Sequence, residues 1–272
     1  IVDDASEDYG IFGSQCDEEF RFDENVGIAR AKNKCLELLD DCDHIFLFDD
    51  DAYPLVEDWW RPYVESPEPH LMYVFDDLAG DRKLNDITKL YEDAGHTAWS
   101  GTRGVMLYID AKKVLPVVGG MDPIYGKWGY EHGDWSNRIY AAGLTSFRYG
   151  DVAGSDALIH SMDQYEELER SVDIGDRVAL ARRNAAIHNR RRDEGYTSYV
   201  EYRDLPDAAA TGTRDVVITH LYSSKPDPAR PSLQYPPTLE PASDLFYSLD
   251  STSPSADWVV IHDGITEGAP GR

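Results

Sequence analysis

The stretch His44-Ile45-Phe46-Leu47-Phe48-Asp49-Asp50-Asp51 decides the fold class. A continuous apolar run bounded by acids suits a strand buried on both faces of a mainly parallel sheet. Open α/β sheets place their ligands at the C-terminal ends of such strands. Here that end delivers three carboxylates. Asp49 and Asp51, two apart, can meet one hard cation at the strand-to-loop turn. Mg²⁺ or Mn²⁺ prefers oxygen ligands of this kind and also holds a diphosphate.

Outward from this strand the pattern alternates between strands and helices, which means an α/β sheet. Ile1-Val2-Asp3-Asp4 reads as a buried strand breaking into a polar loop. Val26 to Leu39 carries apolar or small residues at helical spacing. Pro54 stops regular pairing, and Val56 to Val64 reads as a short helix bearing Trp59 and Trp60. Leu71 to Phe75 and Gly104 to Ile109 read as strands, with helical potential between them near Leu84 to Tyr91. Ala111 to Val118 and Asp134 to Ala142 read as helices, the second closed by Gly143. Phe147 to Tyr149 is a strand remnant, and Asp176 to Arg192 is a further helix rich in arginine. A solvated face balanced by nearby acids is the ordinary fate of such a charge run. Beyond Pro206 the composition changes. A linker leads to the apolar Val216-Val217-Ile218-Thr219, a proline-rich stretch, and a last strand from Trp258 to Ile261.

The chain has 272 residues, 42% of them hydrophobic, enough for a full α/β domain with a substantial core. Its net charge of −25, with 8 Lys against 18 Arg, repels phosphate backbones and argues against broad nucleic-acid binding. No run approaches the ~20 apolar residues of a membrane helix, and no basic segment leads into an apolar one. With Cys16, Cys35 and Cys42 forming no metal-spaced pair, the expectation is a cytoplasmic protein with reduced thiols and no membrane span.

Two further stretches carry chemistry. Gly126-Lys127-Trp128-Gly129-Tyr130-Glu131-His132-Gly133-Asp134-Trp135 combines glycines that let a ligand approach the backbone, aromatic faces for a sugar ring, and acids able to deprotonate a hydroxyl. His160 follows the apolar Leu158-Ile159, and a neutral imidazole is a common ligand at Mn²⁺-type sites.

In order, these motifs resemble a glycosyltransferase of the GT-A fold over roughly residues 1–165. Ile1 to Ser6 resembles the nucleotide-binding strand end of the family 2 enzymes, and Asn25 to Asn33 the helix that follows it there. Asp49-Asp50-Asp51 matches the Asp-x-Asp metal motif. Ser100 to Leu107 and Gly119 to Arg138 are similar to the acceptor-side segments of the β-1,4-galactosyltransferases, with His160 where those enzymes have a metal-binding histidine. The resemblance implies a Rossmann-like, mainly parallel mixed sheet flanked by helices. It implies transfer of a sugar from a nucleoside-diphosphate sugar, a UDP-sugar by resemblance, to an acceptor hydroxyl with inversion. The acceptor class is open: glycan, lipid, protein or modified nucleobase. Asp3, Asp4, Arg30, Asp50, Trp128 and Gly129 would hold the donor, and Asp49, Asp51 and His160 a Mn²⁺ or Mg²⁺ ion. Where that family has Glu-Asp this chain has Glu131-His132, and its base matches the second position. Asp134, Glu131 and His132 all stand as candidates for the base. A retaining transferase of the same fold, a degenerate sugar- or nucleotide-binding module and a nucleotidyltransferase are the rival readings.

The resemblance also bears on chain organisation. GT-A enzymes place a strand and helix ahead of the strand matched by Ile1-Val2, and that first strand lies mid-sheet. Residues 1–206 would form the catalytic domain without it. Residues 207–272 would either open a second such module in a tandem protein or fold back to fill the vacancy, with Val216 to Thr219 pairing parallel beside Phe46 to Phe48.

Overall fold

The structure, a computed structural model, describes residues 1–6, 16–167, 174–203 and 259–262. The chain runs β1 (Val2–Asp3), β2 (Phe20–Arg21), α1 (Ile28–Leu38), β3 (His44–Asp49), β4 (Ala52–Pro54), α2 (Arg61–Val64) and β5 (His70–Met72). It continues through β6 (Lys89–Glu92), β7 (His96–Trp99), β8 (Met106–Asp110), α3 (Ala111–Val118), α4 (Glu131–Ala141), β9 (Gly150–Val152), β10 (Ile159–Ser161) and α5 (Ile174–Glu194) to β11 (Val259–His262).

The main sheet has the order β2-β1-β11-β3-β8-β5. The β2–β1, β1–β11 and β11–β3 pairings are parallel; β3–β8 and β8–β5 are antiparallel. The fold is therefore α/β with a mixed sheet, parallel on one side of β3 and antiparallel on the other. Two small antiparallel sheets, β10-β4 and β6-β7-β9, lie beside it.

The apolar run reads correctly as a strand buried on both faces. Ile45 and Leu47 point into a core shared with Leu36 of α1, Val114 of α3 and Trp135 and Ile139 of α4. Phe46 and Phe48, one residue out of phase, point into a second core with Trp59, Tyr63, Leu71 and Tyr108. The Trp59 ring lies edge-on, 5.0 Å from Phe46 and 5.2 Å from Phe48. This two-sided burial fixes the register of β3, and with it the position of the acids that follow.

Three expectations need correction. The place beside Phe46 to Phe48 does not go to Val216–Thr219: β11 pairs on one edge of β3 and β8 on the other. Residues 216–219 themselves lie outside the described residues. The segment Leu84 to Tyr91 yields the strand β6 rather than a helix, with all four β6 residues exposed. Finally, α4 starts at Glu131, earlier than the expected Asp134, because Tyr130 takes a left-handed conformation at φ 77° and turns the chain into the helix there. Glu131 and His132 consequently belong to its first turn.

No helix among the described residues is long and apolar enough to cross a membrane.

Candidate functional site

A cavity of about 890 Å³ opens at the C-terminal end of β3. Its wall is built from Asp49 to Asp51, the segment Ser100–Arg103, the segment Trp128–Gly133 and one face of α5. Of the sequence-expected site residues it gathers Asp49, Asp50, Asp51, Trp128, Gly129, Glu131 and His132.

The acid run is not a bare cluster. Asp49 Oδ1 lies 2.5 Å from the Nζ of Lys32, a fully buried residue of α1 whose ammonium also donates to the Gly104 carbonyl at 3.1 Å. Burial raises the Asp49 carboxyl above its ordinary value, and the Lys32 ammonium opposes that rise. Asp51 is tied through its backbone: its carbonyl accepts from Met162 N–H at 2.7 Å. The next residue, Asp163, joins the cavity wall. Sequence reasoning passed over Lys32 and Asp163. Lys32 had a signal, since Ala29, Lys32 and Leu36 recur on the inward face of α1.

Glu131 is the most unusual group of the site. It is 3% exposed, and its Oε2 is buried without a hydrogen-bond partner. Desolvation raises its pKa from 4.5 to about 7; backbone N–H groups and Lys32 oppose the rise and the Asp49 charge adds to it. His132 stands beside it, Nδ1 3.7 Å from Glu131 Oε1, and burial holds its pKa far below 6.5. A neutral ring results, packed on Gly104. A Cβ built there would meet His132 Nδ1 at 1.9 Å, and the φ of +85° at Gly104 itself disfavours any side chain.

Asp134 sits apart from the other two candidate bases. It does not line the cavity; it accepts from Tyr125 Oη at 2.8 Å and Arg138 Nε at 3.0 Å, and Arg191 adds a contact at 3.3 Å. With three donors on two oxygens it holds α4 and α5 together.

The expected nucleotide contacts Asp3, Asp4 and Arg30 are likewise absent from the wall. Asp3 pairs with Arg21 at 2.7 Å and accepts from Ser6. Asp4 accepts from the N–H groups of Val26 at 2.6 Å and Gly27 at 2.9 Å, anchoring the loop that enters α1. Arg30 is exposed. Trp128 and Gly129 do face the cavity. They are fixed from behind by the Asn184 amide, which donates to the carbonyls of Tyr125, Trp128 and Gly129 at 2.7, 2.9 and 3.0 Å.

His160 has protein partners in this structure. On β10 it pairs with Tyr53 of β4, its ring stacks on Tyr165, and its Nε2 lies 2.8 Å from Glu167 Oε2. It does not line the cavity. Among the described residues no group of three or more His, Cys, Asp or Glu side chains is arranged to hold a metal ion. What the wall does offer is carboxylate oxygen, from Asp50, Asp51 and Asp163. That donor set fits a hard cation of the Mg²⁺ type, which takes one or two protein carboxylates and completes its shell with substrate phosphates and water. It does not fit a closed cage built by the protein alone.

No family model, curated protein or solved structure matches this chain.

Proposed function

We propose that the chain is a metal-dependent glycosyltransferase of the GT-A type, moving a sugar from a nucleoside-diphosphate sugar to an acceptor hydroxyl. One observation carries the reading: the buried carboxyl of Glu131, with one oxygen unpartnered and a pKa of about 7, shares a cavity with the acids that end β3.

A base must hold its proton loosely enough to give it up and tightly enough to take it, which is best near the working pH. Glu131 meets that condition. Its unpartnered Oε2 is an acceptor for a hydroxyl proton. Neutral His132 and the Lys32 ammonium flank it, and Lys32 keeps the Asp49 charge from repelling it further. Asp51, with Asp50 or Asp163, would hold the cation, which when bound supplies neutralisation of the charge developing on the departing diphosphate. Trp128 offers an aromatic face and Gly129 an approach to backbone. Inversion follows if the acceptor meets Glu131 across the sugar ring from the diphosphate, a geometry carried here by analogy with the fold.

A second reading, a sugar-nucleotide-binding module without turnover, is favoured by one specific feature. The Lys32–Asp49 pair at 2.5 Å already satisfies the first acid of the run. Incubating the chain with a panel of nucleotide sugars, with and without Mn²⁺, and measuring release of free nucleoside diphosphate separates the two. Mn²⁺-dependent release from one donor, reduced by roughly 10²–10⁴-fold in Glu131→Gln while donor binding persists, is the expected result. Tight binding with no release from any donor would leave the binding module standing.

A further inference from the structure

The helix α5 turns one stripe to the cavity. Arg177, Ala181, His188 and Arg192 recur at helical spacing and line its wall, and Arg148, just ahead of β9, joins them. Four arginines line the cavity: Arg103, bound to Asp86; Arg192, in an exposed pair with its neighbour Asp193 at 2.9 Å; and Arg148 and Arg177, whose guanidinium groups lie over the Tyr140 and Trp128 rings. The remaining arginines of the helix do not. Arg191 pairs with Asp122 at 2.8 Å, and Arg182, Arg183 and Arg190 are absent from the wall.

The ring of His188 is oriented by a chain of hydrogen bonds. Arg148 donates to Asn137 Oδ1 at 2.9 Å, and a guanidinium can only donate. The amide nitrogen of Asn137 therefore faces His188 Nε2, at 2.8 Å. Nε2 must accept, so the neutral ring carries its proton on Nδ1. His188 is 7% exposed, and its Nδ1 makes no hydrogen bond of ordinary geometry; the Asn189 side chain is its polar neighbour on the same wall. The other edge of the ring reaches the start of α4. A Cβ at Gly133 would stand 3.0 Å from His188 Nε2, two residues from Glu131.

We propose that this wall binds an anionic group, a phosphate or a carboxylate, on the acceptor whose hydroxyl meets Glu131. Arg148, Arg177 and Arg192 supply the charge, and the His188 Nδ1–H supplies a directed hydrogen bond. The word acceptor rests on the transferase reading; the anion site does not. The donor's own diphosphate has a different place, at the carboxylate-held cation by Asp50, Asp51 and Asp163. Glu131 feels the Asp49 charge and stands two residues before Gly133, the residue His188 approaches.

The test is calorimetric titration of the full chain with a hexose 6-phosphate, the matching hexuronate and the neutral hexose, each with and without UDP and Mn²⁺. Hydrogen bonds to a charged group are worth enough for at least a ~10-fold preference for the anions over the neutral sugar. That preference should persist with UDP and Mn²⁺ bound. It should vanish in Arg177→Gln/Arg192→Gln and survive in Arg190→Gln. Arg192→Gln alone, at an exposed position, serves if the double variant fails to fold. Equal binding of all three sugars, an undiminished preference in the arginine variants, or competitive displacement of the hexose 6-phosphate by UDP would each overturn the proposal. Arginine-dependent anion binding in a chain that binds no nucleoside diphosphate would instead sink the transferase reading and leave the anion site in place.

Discussion

Replacing Glu131 by Gln should stabilise the protein above neutral pH while removing its turnover. A carboxyl whose pKa stands at about 7 in the folded chain and 4.5 outside it favours folding while protonated. That contribution is complete below about 4.5 and is lost as pH rises through about 7, so the wild type weakens toward alkaline pH. The displacement corresponds to roughly 3 kcal/mol at most. Glutamine keeps the shape, carries no charge at any pH and loses nothing over this range. Urea unfolding at pH 5 and at pH 8.5 should therefore show a fall in the wild type that exceeds the fall in the variant by about 2–3 kcal/mol. Other buried groups titrate in the same window. Asp151 stands at about 7 and His70 at about 4, but both remain in the variant and cancel from the difference. Identical pH profiles for the two proteins would mean that the Glu131 carboxyl is solvated or paired in solution, and the argument for it as the base would fall with that result.

Three further outcomes follow from named contacts. Lys32→Met leaves Asp49 with its charge uncompensated and should cost about 3–5 kcal/mol near pH 8, with most of it recovered in Lys32→Met/Asp49→Asn, as read from denaturant midpoints. Asp51→Ala should abolish Mn²⁺-dependent UDP binding, whereas His160→Ala, turned away to Glu167, should leave the Mn²⁺ titration midpoint within about threefold; equal loss in both would restore His160 as a ligand. Gly104→Ala should destabilise by about 2 kcal/mol or more, from the positive φ and the collision with His132, and thermal unfolding reads it directly.

How far the sequence could be read depended on where each side chain found its partner. β3, α3 and the position of the acid run were legible because their patterns are local: a two-sided apolar run, an amphipathic turn, and charge at the strand end. The surroundings of Asp134 were not legible because its donors come from three places, one helical turn on at Arg138, back at Tyr125, and far along the chain at Arg191. The partner of His160, Glu167 seven residues later, was hidden for a similar reason. β6 carried no apolar alternation at all, since each of its residues faces water, so only the charged Lys89 and Glu92 around Leu90-Tyr91 were on view. Two apolar segments of the C-terminal region, Val216 to Thr219 and Trp258 to Ile261, matched the open slot equally well by pattern. The choice between them lies in tertiary register, which hydrophobicity does not encode.

The seat taken by β11 also sets an order of events. Val260 pairs with Phe48 across a separation of about 210 residues, and Ile261 closes onto Val2 on the other side. Until that segment has left the ribosome, β1 and β3 have bare edges facing each other, and the acids at the end of β3 have no settled neighbour on that side. Contacts so remote in sequence form slowly, because a long loop must close before they yield anything. Open parallel edges of that kind invite pairing with another chain. A chain cut just before Val259 would keep β1 to β10 yet lack the strand that, among the described residues, joins β1 to β3.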